Sequence, residues 1–240
     1  MTRITTCPDP QTVAERAAAH VARELARARA ERGVAHFALS GGTTPGSTYE
    51  LLAGMPDALV DCEIWFADER CVAPDDASSN YRLARETMLE RARIPATRIH
   101  RMYGELGPDE GASRYAQELA ARLNGSSGGA AATLDVVVLG VGPDGHVASL
   151  FPGADTLAAG EHELCLPVRD SPKPPPERIT LSLSVLRAAR GCTLLATGAS
   201  KADAVSAMLG EPSRHVPASL LRRERLTVIL DDAAAPARPL

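Results

Sequence analysis

Leu134-Asp135-Val136-Val137-Val138-Leu139-Gly140-Val141-Gly142-Pro143-Asp144-Gly145-His146 is the stretch on which the reading of the chain turns. Residues 134–139 are the clearest strand signal in the sequence, a short, nearly continuous apolar run that breaks directly into a glycine-rich loop. Such a run suits a strand covered on both faces, as parallel sheets are. The pattern repeats on either side. Residues 35–39 (Ala-His-Phe-Ala-Leu) run into Ser40-Gly41-Gly42, and residues 62–66 (Cys-Glu-Ile-Trp-Phe) run into Asp68-Glu69-Arg70 and a loop extending to Ser79. Later apolar runs at 179–183, 192–196 and 226–230 continue it.

Helical segments fill the intervals. Residues 14–30 are alanine-rich, follow Asp9-Pro10 and stop before Gly33, which supplies a start and a stop signal. A second helix starts at Pro45, since proline suits a first helical turn. A third fits residues 80–93 with Ser78 or Ser79 as its cap, and a fourth fits residues 109–123. Residues 124–132, rich in Gly, Ser and Ala, are the one candidate linker; the alternation resumes after them, so they read as a surface loop. There is no internal repeat. The expectation is one α/β domain over residues 1–240, with a mostly parallel sheet flanked by helices on both faces. Ligands of such sheets sit beyond the carboxyl ends of the strands, where the loops at Ser40, Asp68 and Gly140 begin.

Composition narrows the class. Of 240 residues, 45% are hydrophobic and 23% charged, which predicts a folded globular protein. The net charge of −4, without long blocks of one sign, gives no footprint for nucleic acid or an acidic membrane. Five dispersed cysteines (Cys7, Cys62, Cys71, Cys165, Cys192) form no C-x-x-C pair and read as reduced, mostly buried thiols. With no apolar run of ~20 residues and no leader-like N-terminus, the expected location is the cytoplasm. Of 26 basic residues 24 are arginine; the two lysines are Lys173 and Lys201.

Three loops carry candidate chemistry. Ser40-Gly41-Gly42-Thr43-Thr44-Pro45 offers approachable backbone N–H groups, hydroxyls and a helix N-terminus, which suits a phosphate; a plain glycine-rich turn is the alternative. It lacks the lysine of a Walker loop. Gly140-x-Gly142-x-x-Gly145 imitates a dinucleotide fingerprint. Against that, Asp144 sets a carboxylate where a pyrophosphate would lie, and Phe151-Pro152-Gly153 ends any helix within two turns. Asp144 can instead orient His146, whose side chain type suits proton transfer near neutrality. His20, His36, His100, His162 and His215 read as structural. In Asp68-Glu69-Arg70, Arg70 could steady an oxyanion, with a solvated charge cluster as the alternative. Lys173 and Arg178 flank Pro174-Pro175-Pro176, and Lys201 is the better phosphate contact of the two lysines. No G-x-S-x-G, H-E-x-x-H or His/Cys cluster is present, so serine-nucleophile and zinc chemistry lack their parts.

Together, Ser40-Gly41-Gly42-Thr43-Thr44-Pro45, Asp68-Glu69-Arg70 with Ser79-Asn80-Tyr81, GVGPDGHVASLFPG at 140–153, Arg178-Ile179-Thr180-Leu181 and residues 198–202 resemble the 6-phosphogluconolactonase family over most of the chain. The 140–153 run is highly specific; the Gly-Gly-Thr and Asp-Glu-Arg motifs are informative only in this order and spacing. The resemblance implies a Rossmann-like fold, related to glucosamine-6-phosphate deaminase, and hydrolysis of 6-phospho-D-glucono-1,5-lactone to 6-phosphogluconate in the oxidative pentose phosphate pathway. It implies His146 as general base, Asp144 as its partner and Arg70 as a substrate or oxyanion contact. Asp68 belongs to the implied substrate site, and Ser40, Gly41, Gly42, Thr43, Thr44, Arg178 and Lys201 to the phosphate site. It implies no metal or organic cofactor; the expected partner is a small sugar phosphate, and the expected state a monomer or small homo-oligomer. Val228, where the family often has tryptophan, and Ala73, which interrupts a usual Val-Pro, are departures bearing on local packing. Two other readings stand beside this one. A deaminase or isomerase carries an Asn-Glu-Pro element after its histidine, where this chain has Ala148-Ser149-Leu150-Phe151-Pro152; a non-catalytic sugar-phosphate sensor would bind without turnover.

Overall fold

The longest helix shows how locally the chain encodes its elements. Helix α1 (Pro10–Arg32) starts where the Asp9 carboxylate accepts the Thr12 N–H at 2.8 Å and ends at Gly33, whose φ of 79° only glycine adopts cheaply. Val13, Ala14, Ala17, Ala18, Val21, Leu25 and Ala28 form its buried stripe, spaced three or four apart. The computed structural model describes residues 2–55, 57–123, 133–160 and 162–236. The predicted loop at 124–132 lies outside them.

Among the described residues, nine strands and six α-helices follow in chain order: β1 (Arg3–Cys7), α1, β2 (Ala35–Leu39), α2 (Thr43–Ala53), β3 (Cys62–Phe66), β4 (Asp68–Arg70), α3 (Asn80–Ala84), α4 (Pro108–Leu123), β5 (Val136–Gly140), β6 (Cys165–Val168), β7 (Arg178–Leu181), α5 (Leu183–Ala188), β8 (Gly191–Ala196), α6 (Ala202–Leu209) and β9 (Leu226–Asp231). The main sheet has the order β1-β9-β8-β5-β2-β3, and every pairing in it is parallel. Its inner strands are buried along nearly their whole length, including Phe37, Val137, Val138, Leu194 and Val228. α1 and α2 pack on one another. The chain moves one way from β2 to β3 and the other way from β5 through β8 to β9, so right-handed crossovers place the later helices on the opposite face.

That reversal falls between β2 and β5, which pair as Phe37↔Val136 and Ala38↔Val137. A crevice therefore opens beyond their carboxyl ends, where the loops starting at Ser40 and Val141 leave the sheet.

Four sequence expectations change. Asp68-Glu69-Arg70 is strand β4 rather than the start of a loop, pairing antiparallel with β7 as Asp68↔Thr180 and Arg70↔Arg178. The run expected as a strand at 179–183 does not join the parallel sheet; β7 lies between β4 and β6 in a second, three-stranded antiparallel sheet, and Leu183 already belongs to α5. The helix expected over 80–93 keeps its Ser79 cap but passes into a π-helical turn at Arg85–Leu89 and stops before Arg93, whose φ is 53°. Strands β1 and β6 went unread: β1 is an exposed edge strand with polar alternation, and Pro167 interrupts the pattern of β6. The five cysteines are free, all buried except the half-buried Cys71. No described helix is long and apolar enough to cross a membrane.

Candidate active site

The crevice is a cavity of about 340 Å³, within the ~300–1,000 Å³ range of small-molecule sites. Its wall includes Ser40, Gly41, Gly42, Thr43, Thr44, Asp68, Arg70, His146, Arg178 and Lys201, so ten of the eleven residues singled out from sequence face one space. The eleventh, Asp144, stands directly behind His146. Asn80, Lys173 and Thr197 line the same wall.

The Gly-Gly-Thr loop is fixed from below. Tyr49, fully buried on α2, accepts the Ser40 N–H at 3.0 Å and donates its hydroxyl to the Ser40 carbonyl at 2.9 Å. Gly42 has φ 107°, open to glycine and strained for other residues, and immediately precedes α2. The loop thus presents uncapped backbone N–H groups at a helix N-terminus, where partial positive charge favours an anion. Thr44 Oγ1 lies 2.7 Å from Thr197 Oγ1, which ties this loop to the segment after β8. That segment is held in turn by buried Asp231, both of whose carboxylate oxygens accept the Gly198 N–H at 3.0 Å, setting the short 3₁₀ turn that carries Lys201. Burial, then the like charge of Lys173, pulls the Lys201 ammonium below its ordinary range, while Asp144 acts the other way. Its charge is thus incompletely solvated and available to an anion.

Across the cavity, Asp144 Oδ1 stands 2.6 Å from His146 Nδ1. Nδ1 is therefore the protonated nitrogen of the neutral ring, and Nε2, without a protein partner among the described residues, is the lone-pair site. Burial lowers the affinity of His146 for a proton below that of ordinary imidazole; Asp144 opposes this and Lys173 reinforces it. Burial alone would raise the Asp144 carboxyl, but the hydrogen bond from His146, the imidazole charge and Lys173 bring it below its ordinary value. Gly142 has to be glycine here, because a Cβ would overlap His146 Nδ1, His146 Cε1 and Asp144 Oδ1. The loop carries no helix: it closes as a turn with Gly142 N–H to His146 O at 2.9 Å, and the Phe151 ring packs 4.7 Å from the imidazole centroid.

The Asp-Glu-Arg motif splits three ways. Asp68 is buried against the cavity, accepting from Ser149 Oγ at 2.8 Å and Asn80 Nδ2 at 3.1 Å. Glu69 points away and accepts from the backbone N–H of Arg70, Asn80 and Tyr81 and from Ser79 Oγ, so it is structural. Arg70 donates Nη1 to the Ser78 carbonyl, and its Nη2 has no protein partner among the described residues. Arg178 is largely committed within the protein: Nε donates to Pro175 O, Nη2 to Lys173 O and Pro174 O, and Nη1 lies 3.5 Å from Ser149 Oγ. One Nη1 hydrogen of the five guanidinium N–H groups remains for a ligand.

Sequence reasoning gave no site role to Asn80, Thr197, Ser149 or Asp231. Asn80 was visible inside Ser79-Asn80-Tyr81, but nothing local shows that its amide holds Asp68 twelve residues earlier. Two of the other histidines have ring nitrogens already engaged within the fold. His100 lies between Glu118 and Glu63, 2.6 Å from each, and His36 Nδ1 accepts the Trp65 indole N–H at 3.1 Å.

Residues 8–230 match the family model described as glucosamine-6-phosphate isomerases/6-phosphogluconolactonase. The chain is 38% identical over 242 residues to a 6-phosphogluconolactonase of Streptomyces coelicolor, covering 96% of this chain and 92% of that protein. It is 40% identical over 233 residues to a 6-phosphogluconolactonase of Homo sapiens, covering 94% of this chain and 86% of that protein. The solved structure of a 6-phosphogluconolactonase from Trypanosoma cruzi superposes with a TM-score of 0.85 at 26% identity, covering 98% of this chain and 96% of that one.

Proposed function

The chain belongs to the family of glucosamine-6-phosphate isomerases and 6-phosphogluconolactonases, it hydrolyses 6-phospho-D-glucono-1,5-lactone in the pentose phosphate pathway, and we propose that His146 drives that hydrolysis as a general base. One observation carries the mechanism: the Asp144–His146 pair and the Gly-Gly-Thr loop at the start of α2 open onto one cavity. A substrate anchored by its phosphate on the loop presents its ring to the imidazole.

In the first step a water O–H proton passes to His146 Nε2 while the water oxygen bonds to the lactone carbonyl carbon. Asp144 steadies the resulting imidazolium through Nδ1. The tetrahedral oxyanion is met by Arg70 Nη2. Collapse breaks the bond to the ring oxygen, which takes the proton back from His146 and leaves as the sugar hydroxyl; the new carboxylic acid then releases its proton to solvent, giving 6-phosphogluconate. A positioned base contributes ~10²- to 10⁴-fold and one oxyanion donor ~10²- to 10³-fold, enough for a δ-lactone, which already opens unaided. Ser40, Gly41, Gly42, Thr43, Thr44 and Lys201 hold the phosphate, with the remaining N–H of Arg178 beside them, and Asp68 meets a sugar hydroxyl. The net charge of −4 favours a small-molecule role over nucleic acid, and the protein acts in the cytoplasm as a monomer or small homo-oligomer.

The test is acid release in a pH-stat with phosphorylated and unphosphorylated gluconolactone. The phosphorylated lactone should win by a large factor in kcat/KM. Lys201→Met should narrow the gap, by raising KM ~10-fold or more for the phosphorylated lactone alone, as expected for a lost charge-assisted bond. Equal rates on both lactones would remove the phosphate site. Binding of 6-phosphogluconate with no lactone turnover would turn the reading into a sensor.

A further inference from the structure

Lys173 and Arg178 stand at the two ends of a strap whose geometry the reaction scheme above does not use. Lys173 Nζ lies 3.3 Å from Asp144 Oδ1 and 3.3 Å from His146 Nδ1, on the side of the ring away from the free Nε2. The strap brings it there. Ser171 cinches one edge, its N–H donating to Pro176 O at 2.9 Å and its Oγ bonding Lys173 O at 2.9 Å. Buried Arg178 grips the other, donating to the carbonyls of Lys173, Pro174 and Pro175 at 3.0, 3.3 and 3.1 Å. The prolines at 174–176 have no N–H to donate, and the carbonyls of Lys173, Pro174 and Pro175 all converge on the guanidinium.

We propose that Arg178 is a positioning residue that clamps the strap, and that the Lys173 ammonium it places against the Asp144–His146 pair keeps His146 in its neutral, proton-accepting form. This rests on the reading of His146 as the base. The electrostatics are those of a like charge beside an imidazole: a cation next to Nδ1 opposes a second proton on the ring, while Asp144 favours it. The other charges near the ring are Asp68 across the cavity, which favours protonation, and Lys201, which faces Lys173 and Asp144. Lys173 is thus the nearest cation offsetting two carboxylates. Without it, the dyad would hold its proton to higher pH and lose base strength where the enzyme must work.

The experiment is the pH profile of kcat/KM, background-corrected, for the parent, K173M, K173R, R178M and K173M/R178M, with thermal melts to verify folding. In K173M the acid limb moves up by about 0.5–1 pH unit. K173R keeps the charge and leaves the limb in place. R178M lets the strap drift, so its limb moves in the same direction by less and its plateau falls. The double variant shows the limb of K173M alone, because Arg178 acts through Lys173. A limb unmoved in folded K173M overturns the proposal, as does an R178M variant whose limb stays in place while only its KM rises, which would leave Arg178 no role beyond its N–H at the phosphate. His146→Ala separates the two levels: an H146A protein with the parent's rate removes His146 as base, whereas loss of activity in H146A with an unmoved K173M limb removes only the role of the strap.

Discussion

His146 and His100 are both imidazoles held 2.6 Å from carboxylates, and they do opposite jobs. His100 has a carboxylate at each nitrogen, Glu118 on Nδ1 and Glu63 on Nε2, and its ring stacks on Trp65 with centroids 4.0 Å apart. Carboxylates accept only, so that arrangement suits a ring donating from both sides, with no lone pair to offer. It joins β3 to α4 near the amino ends of the parallel strands. His146 sits at the other end, on a turn rather than between packed elements, with one carboxylate, one cation and one open nitrogen. The difference between a structural and a reactive histidine here lies in how many of its nitrogens the fold has already used, since carboxylate proximity is shared.

The largest effect expected from breaking this contrast is exchange of the two deletions. His146→Ala should lower kcat by ~10²- to 10⁴-fold with little change in KM and an unshifted melting curve. His100→Gln should leave kcat near the parent value and cost about 1–3 kcal/mol of stability by leaving carboxylates short of donors. That is several degrees in Tm, at ~2–4 °C per kcal/mol for a chain of this size. Steady-state kinetics with thermal melts on both variants decide it; a catalytic loss in H100Q matching that of H146A would erase the distinction. A smaller effect sharpens the same point without touching either ring. Gly142→Ala introduces a Cβ into the space of His146 Nδ1 and Asp144 Oδ1, so the dyad must shift, and a misplacement of about 1 Å is worth ~10²-fold in rate. Unchanged kcat in a folded G142A protein would show that the pair's resting geometry is not the working one.

How much of this was readable in advance follows the range of the interactions. The alternation of buried strands and capped helices is local, and Asp9, Gly33, Ser79 and the run at 134–139 each announced themselves within a few residues. The cavity was legible because strand ends in a parallel sheet share one edge, so three glycine- or charge-bearing loops had to converge. Strand β4 was not, because Asp68-Glu69-Arg70 has a loop's composition; its strand character comes from pairing with β7 about 110 residues later in sequence. Shorter separations, 12 and 33 residues, already hide the clamp of Asn80 on Asp68 and that of Asp231 on Gly198. Arg178 is the instructive intermediate, since its place at the cavity was foreseen while its commitment to the strap carbonyls depends on backbone geometry.

The smallest effect concerns a third imidazole, His36, which sits between the two extremes. It is half-buried, and its Nδ1 accepts the Trp65 indole N–H at 3.1 Å, a bond that a proton on Nδ1 would abolish. Burial lowers its proton affinity below that of ordinary imidazole, and the charges around it act both ways, with Asp135 and Glu63 opposing and His100 and Arg32 reinforcing the shift. A folded-state value below the unfolded one means that the unfolded chain binds more protons. The stability from His36 is therefore complete above the unfolded value of ~6.5 and is lost as pH falls through the folded one. Burial lowers His20 and His146 in the same sense, so the parent should melt at progressively lower temperature between pH 7 and 5. His36→Gln keeps an acceptor for Trp65 but does not titrate, so its Tm should fall less over that interval, by a few degrees at most. Parallel Tm-against-pH curves for parent and H36Q would mean that protonation of His36 costs the fold nothing and that its bond to Trp65 does not resist a proton.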